Sequence, residues 1–169
     1  FSIYNSSSWK RNDTVKINTN TNGDLLWKNE TGEVLDAQQT SDGAWLVKVD
    51  EVPSLGKSSI FYEKGTNGTT SSFHVSGNSI SSNYYEISWN ENGQLTKIYD
   101  KKNQRNILAP NARGNVFQVF EDKPMRFDAW DIDLYYQEKM KEISTLQEAN
   151  VIENGPVRCV VEFTWAYAN

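Results

Sequence analysis

Near its C-terminal end the chain reads Val157-Arg158-Cys159-Val160-Val161-Glu162-Phe163-Thr164-Trp165-Ala166-Tyr167. Apolar side chains recur at 157, 159, 161, 163, 165 and 167, while Arg158, Glu162 and Thr164 fall between them. Successive side chains of a strand point to opposite faces, whereas those of a helix return to one face every three to four positions. Such a run therefore predicts one long strand, from Gly155 to the end, with a strongly apolar side. The same period marks Thr14-Val15-Lys16-Ile17, and it places Trp45, Val47 and Val49 on one face. Turn pairs separate the runs: Asn22-Gly23, Thr31-Gly32, Asp42-Gly43, Asn67-Gly68, Asn92-Gly93 and Asn154-Gly155. Asn and Gly tolerate the positive φ of tight turns. About ten short strands at this spacing predict an all-β chain. The 6 tryptophans, 8 tyrosines and 7 phenylalanines suit half-buried pleated surfaces, and most are expected in the core.

The chain has 169 residues, enough for one ordinary domain or two small ones. Between Lys64 and Ser72 it turns small and polar, and Ser76-Gly77-Asn78-Ser79 repeats that character after a short apolar stretch. A boundary is expected near Gly77, giving units over residues 1–77 and 78–169. Phe1-Ser2-Ile3-Tyr4 reads as the inside of a strand and Asn169 follows directly on another, so polypeptide is expected on both sides. An unfinished sheet leaves unpaired edges that invite association, which makes a homo-oligomer an expectation.

Several function classes are excluded. The net charge is -5, with the charges dispersed and no basic stripe, which argues against a nucleic-acid partner. No apolar run approaches the roughly 20 residues of a membrane span. Cys159 is the only cysteine, so no intrachain disulfide can form, and a reducing, cytoplasmic location is expected. Its place on an apolar strand face reads as a buried structural thiol. His74 is the only histidine, so neither a two-histidine metal site nor a Ser/His/Asp or Cys/His arrangement can be built here. No metal ligands, cofactor or catalytic residues are expected within these residues.

One stretch breaks the β pattern. From Asp128 to Lys141, Ile132, Tyr135, Tyr136 and Met140 fall at helical spacing, with Asp128 or Asp131 able to cap. A short helix or ordered loop of about two to three turns is expected there. Just before and within it, Glu121, Asp122, Asp128, Asp131 and Asp133 place five carboxylates in thirteen residues, with Phe127 and Trp130 among them. Four readings compete. Paired carboxylates could be a glycosidase acid and nucleophile. Asp128, Asp131 and Asp133 could ligate a hard cation, although the glycine and closing glutamate of a calcium loop are absent. Acids on hydroxyls and rings on an apolar face could hold a sugar through Asp128, Trp130, Asp131 and Asp133. Alternatively, Asp128 and Asp131 cap a turn, Trp130 fills core, and the other acids face water.

Positions 120 to 133, Phe-Glu-Asp-Lys-Pro-Met-Arg-Phe-Asp-Ala-Trp-Asp-Ile-Asp, resemble the Asp-Xaa-Pro-Xaa-Xaa-Trp-Asp-Ala-Trp-Asp segment of family 38 glycoside hydrolases, the α-mannosidases, particularly their bacterial and cytosolic-vacuolar branch. Phe127 stands where that branch usually has tryptophan. Tyr4-Asn5-Ser6-Ser7-Ser8-Trp9-Lys10-Arg11 is similar to the Phe-Asn-Pro-Leu-Ser-Trp-Xaa-Arg opening of the family's post-helical β region, with Ser6 in place of proline. Tyr84 to Gly93, Ile98-Tyr99-Asp100-Lys101-Lys102 and Leu108-Ala109-Pro110 to Asn115 resemble the family's strand, turn and aspartate-lysine run.

The resemblance implies a small β-sandwich over residues 1–77, followed by the start of a large supersandwich related to galactose mutarotase folds. It implies an α-mannoside as the full protein's substrate and retaining hydrolysis through an aspartate nucleophile, with a divalent metal, commonly zinc, gripping sugar hydroxyls. Those groups belong to an N-terminal catalytic domain, the expected partner of this chain, and Asp128, Trp130, Asp131 and Asp133 would lie at the domain interface or active-site wall. A stand-alone carbohydrate-binding sandwich is the competing reading. A mutarotase-like epimerase is a third, opposed by the position of His74 outside the second unit.

Overall fold

A computed structural model of the chain describes residues 1–21, 23–66, 68 and 70–167. The turn expected at Asn67-Gly68, the first residue of that at Asn22-Gly23, and Asn169 lie wholly or partly outside them. Two compact units are present: Phe1–His74 with Val151–Val161, and Val75–Asn150 with the chain from Glu162. The break falls at His74–Val75, while Gly77 adopts a φ of 51° between two paired strands of the second unit.

The first unit holds β1 (Ser2–Asn5), β2 (Arg11–Ile17), β3 (Leu25–Asn29), β4 (Ala37–Gln39), β5 (Trp45–Val52) and β6 (Gly56–Lys64). They form two three-stranded antiparallel sheets, ordered β1-β6-β3 and β2-β5-β4. Trp27, Leu25 and Ile60 from the first sheet share one buried cluster with Ile17, Ala37, Trp45, Val47, Val49 and Val52 from the second. That shared cluster makes the unit a β-sandwich. The Trp27 and Trp45 rings meet at 6.1 Å across it. The alternation read at 45, 47 and 49 is the inward face of β5. Val52 stays inside because Glu51 enters the left-handed region at φ 56°, where the β2–β5 register slips. The slip is a bulge that re-aims the strand, and Asn12 Oδ1 accepts the Glu51 N–H at 2.8 Å.

Asn5, at the end of β1, is buried and fully used. Its amide nitrogen donates to the carbonyls of Trp9, Val52 and Pro53 at 2.8, 3.1 and 3.0 Å, and its oxygen accepts the Ser7 N–H at 2.9 Å.

From the break onward, β7 (His74–Ser76, its first residue counted in the first unit), β8 (Ser79–Ser81), β9 (Tyr85–Trp89), β10 (Leu95–Asp100) and β11 (Arg105–Asn106) form a sheet in the order β11-β10-β9-β8-β7. Beside it, β12 (Phe117–Phe120) pairs antiparallel with β13 (Met140–Ile143). Asn90 shapes the β9–β10 turn: its side-chain oxygen accepts the N–H groups of Asn92 and Gln94, both at 3.0 Å. Gly93 completes that turn at φ 72°.

The last two strands, β14 (Thr145–Asn154) and β15 (Cys159–Ala166), pair with each other. The few residues between them are too short for a parallel crossover, so they are a hairpin. The long C-terminal strand expected from the sequence is β15. In the second unit its Phe163 meets Trp89 edge-on at 5.4 Å, and Trp165 meets Phe117 at 5.0 Å. The turn end of the hairpin belongs to the first unit. There Glu153, 7% exposed, accepts the Ser41 N–H at 2.8 Å. Gln38 Oε1 accepts the N–H groups of Val157 and Arg158 at 3.2 and 3.0 Å.

Candidate functional site

The carboxylate-rich stretch is the connection between β12 and β13. It is held at its base rather than along its length. Glu121 directly follows β12, and its carboxylate pairs with Lys123 and, at 2.5 Å, with Lys139. The two ammonium groups hold its carboxyl down to about 2. Phe120 packs on Tyr136 at 5.1 Å.

Within the connection, Phe127 adopts a left-handed φ of 57°. Its carbonyl accepts the N–H groups of Trp130, at 2.7 Å, and Asp131, at 2.9 Å. Asp128 to Asp131 therefore form a tight turn. A 3-10 helix follows over Leu134–Lys139. Of the short helix or ordered loop expected within Asp128–Lys141, the structure holds a tight turn and then a 3-10 helix of six residues, and Met140 already pairs with Phe120 in the β12–β13 ladder. Neither Asp128 nor Asp131 caps it. Asp133 occupies the cap position without a side-chain cap bond, because its carboxylate instead accepts the Met125 N–H at 2.9 Å.

The expectation that Trp130 fills core is also corrected. Its side chain is 87% exposed. So are the other large apolar residues of the connection: Met125 at 88%, Leu134 at 87% and Phe127 at 67%. Helical spacing requires a partner face beneath it, and this 3-10 helix buries none of its residues.

The structure brings Asp133 together with Tyr135, Tyr136, Glu121, Glu138 and Lys139 around a hollow of about 150 Å³. Asp128, Trp130 and Asp131 lie outside that lining. Among the described residues, the Asp128 and Asp131 carboxylates have no hydrogen-bond or ion-pair partner, and both residues are exposed. The hollow offers carboxylate acceptors, hydroxyl and ammonium donors and ring faces, a set able to bind polyhydroxylated molecules.

A larger hollow of about 440 Å³ lies in the first unit. It is bordered by Asn29, Glu30, Glu33, Asp36, Lys48 and Asp50, together with Val34, Leu35 and Ile60. Ser59 holds the Glu30 carboxyl below its usual range through its side chain and its N–H, the latter at 2.8 Å. These residues come from three separate segments, so no local spacing in the sequence announced the hollow.

No group of three or more His, Cys, Asp and Glu side chains among the described residues is arranged to hold a metal ion. His74 is exposed on β7, and Cys159 is half-buried on β15 with its thiol pKa pushed up by burial. These residues do not fit the zinc that the resemblance implies for the full protein. Among the described residues, no helix is long and apolar enough to cross a membrane.

Residues 80–169, just over half of the chain and including the whole β12–β13 connection, match the model of the glycosyl hydrolases family 38 C-terminal domain. The chain belongs to glycosyl hydrolase family 38. Among curated family proteins, it is similar to alpha-mannosidase G of Dictyostelium discoideum, 32% identical over 85 residues. That match covers 49% of this chain and 8% of the Dictyostelium protein. Among solved structures, an alpha-mannosidase from Enterococcus faecalis V583 superimposes with a TM-score of 0.66 at 14% identity, over 97% of this chain and 23% of that one. At that identity the likeness concerns the fold. This family 38 chain thus spans less than a quarter of either relative's length.

Proposed function

We propose that the chain is the non-catalytic β portion of a retaining α-mannosidase whose nucleophile and zinc ligands lie in polypeptide outside these residues. The observation that carries the reading is the family 38 match across residues 80–169. It agrees with a chain whose lone histidine and lone cysteine stand on different strands. In this reading residues 1–77 act as a small β-sandwich, and residues 78–169 begin a larger, mutarotase-like supersandwich. The partner is the catalytic domain of the same polypeptide, with α-mannosides as substrates. The location is cytoplasmic, in keeping with a single cysteine, and exposed sheet edges allow self-association.

Asp128, Trp130, Asp131 and Asp133 are assigned to the wall between this portion and the sugar site. The unpaired acids and the exposed indole support that role: a carboxylate on sugar hydroxyls and a ring on an apolar sugar face are what such a wall supplies.

The full-length protein is expected to hydrolyse an aryl α-mannoside with retention of configuration. The 169-residue chain alone is expected neither to do so nor to keep zinc through dialysis. Asp131→Asn in the full protein should lower kcat/KM about tenfold with an unchanged melting temperature. A fall in melting temperature with full specific activity would assign the segment to folding alone.

A further inference from the structure

The carboxylate-rich connection is carried by a ribbon of two strands. Among the described residues, β12 and β13 pair with each other and with no third strand. Such a ribbon is marginally stable by itself, and its direction is set by whatever holds its base. On β12 the hold is the contact of the Phe117 ring with Trp165. On β13 it is Glu142. Arg113, in the segment between β11 and β12, donates to that carboxylate twice, from Nη1 to Oε2 at 3.0 Å and from Nη2 to Oε1 at 2.9 Å. Among the described residues, no other side-chain hydrogen bond joins β13 to the rest of the second unit.

Arg113 is itself fixed from behind. Its Nη1 also donates to Gln94 Oε1 at 2.9 Å, and Gln94 is 1% exposed. The same oxygen accepts the Asn90 amide at 3.2 Å. Both partners are donors, which settles the orientation of the Gln94 amide. Its Nε2 is then left without a partner among the described residues. A buried donor without a partner is destabilising, so stability alone does not account for this arrangement. The backbone around Arg113 is pinned as well. Leu95 and Gly114 exchange two N–H to carbonyl bonds, both at 2.9 Å. Asn111 and Asn115 flank Arg113 at φ 62° and 55°, left-handed values that asparagine tolerates better than most residues. The Asn115 amide donates to the Gly93 carbonyl at 3.2 Å.

We infer that Arg113 is a positioning residue for the candidate sugar site. By gripping Glu142 it sets where β13 enters the unit. The 3-10 helix directly before β13 moves with that strand, and so does the hollow that Asp133, Tyr136 and Lys139 border. Arg113 and Glu142 lie outside the lining of that hollow, so they act through the ribbon. A guanidinium suits the task because its planar fork fixes direction as well as distance. The inference rests on the assignment of the connection to the wall of the sugar site.

Kinetics of the full-length protein on an aryl α-mannoside test this. Arg113→Met and Glu142→Gln are each expected to raise KM about fivefold, with kcat within about twofold of the parent. The double variant should raise KM no further, because either change alone opens the clamp. Arg113→Lys keeps the charge and loses the fork, so its KM should rise by about twofold. An unchanged KM with a lowered melting temperature would make the pair a stabiliser only and overturn the inference. A KM raised by Arg113→Met but not by Glu142→Gln would put Arg113 on the substrate itself, and effects that multiply in the double variant would show the two side chains acting separately; either result overturns positioning. Should Arg113→Met fail to fold, Glu142→Gln and Arg113→Lys carry the same comparison. Asp131→Asn, measured alongside, separates the two readings. If it lowers kcat/KM while the clamp variants behave as the parent, the inference falls and the wall stands. If none of the variants alters the kinetics, the wall assignment falls and takes the inference with it.

Discussion

Glu153 and Arg158 face each other across the β14–β15 turn through two bonds, Nε to Oε2 at 2.6 Å and Nη2 to Oε1 at 2.7 Å. The glutamate side chain is 3% exposed and that of the arginine 45%. A two-pronged pair of this kind is stronger than a single contact, and the acid is further engaged by the Ser41 N–H and the Gln38 amide.

This pair gives the first unit an acid-sensitive element. The guanidinium of Arg158 is the main cause holding the Glu153 carboxyl at about 2, against an ordinary 4.5. A folded pKa below the unfolded one stabilises above the unfolded value and loses that contribution as pH falls. The stabilisation is therefore complete above about pH 5 and fades between about 4.5 and 2. Glu153→Gln should cost about 1–2 kcal/mol at neutral pH, the arginine being half exposed, and should flatten the acid limb. Thermal unfolding of both proteins across pH 2–7 checks this; parallel curves would sink the assignment.

Gly93 is the second point of sensitivity. Its φ is 72°, and an added Cβ would lie 2.7 Å from Trp165 Cζ2, 3.0 Å from Leu146 Cδ1 and 3.1 Å from Phe163 Cδ1. The Trp165 indole is not free to move away, because its N–H donates to the Asn92 carbonyl at 2.8 Å. Gly93→Ala should destabilise by about 2–4 kcal/mol, combining backbone strain with overpacking. Denaturant unfolding followed by tryptophan fluorescence measures it, and a loss below about 1 kcal/mol would show that the ring gives way.

Trp27 separates size from polarity in the core. It is fully buried between the sheets, and its indole N–H has no partner among the described residues. Trp27→Ala should cost about 3–5 kcal/mol. Trp27→Phe should cost less than half as much, since it keeps a ring and removes an unpaired donor. Equal losses from the two would indicate that the N–H is satisfied in solution.

The alternation at Trp45, Val47 and Val49 and at Phe163 and Trp165 was legible because period two leaves one face to bury, and packing then followed the pattern. The β12–β13 connection holds the short helix expected there, as a 3-10 helix over Leu134–Lys139. Of the residues at helical spacing, Tyr136 meets Phe120, while Ile132 and Tyr135 stay exposed. Backbone pairing of Met140 with Phe120 sets where the helix ends. Composition suggested a boundary near Gly77, while the compact units divide at His74–Val75 and each takes part of the C-terminal hairpin. The return of the hairpin turn to the first unit was not legible, since the Gln38–Glu153 contact joins residues 115 positions apart. The grouping of Asp133 with Glu121 and Lys139 likewise depends on β12 and β13 pairing, which no local motif encodes.

Asn5-Ser6-Ser7 spells an acceptor for N-linked glycosylation, but the amide nitrogen that would carry the sugar already donates to three carbonyls and is buried. Once β1 has paired with β6 the acceptor is closed to any transferase. A glycan attached beforehand would leave the Trp9, Val52 and Pro53 carbonyls without their donor and keep the loop after β1 from joining the end of β5. In a secretory compartment this tripeptide would therefore set modification and folding of the first unit in competition, with only the unmodified chain reaching the sandwich described above.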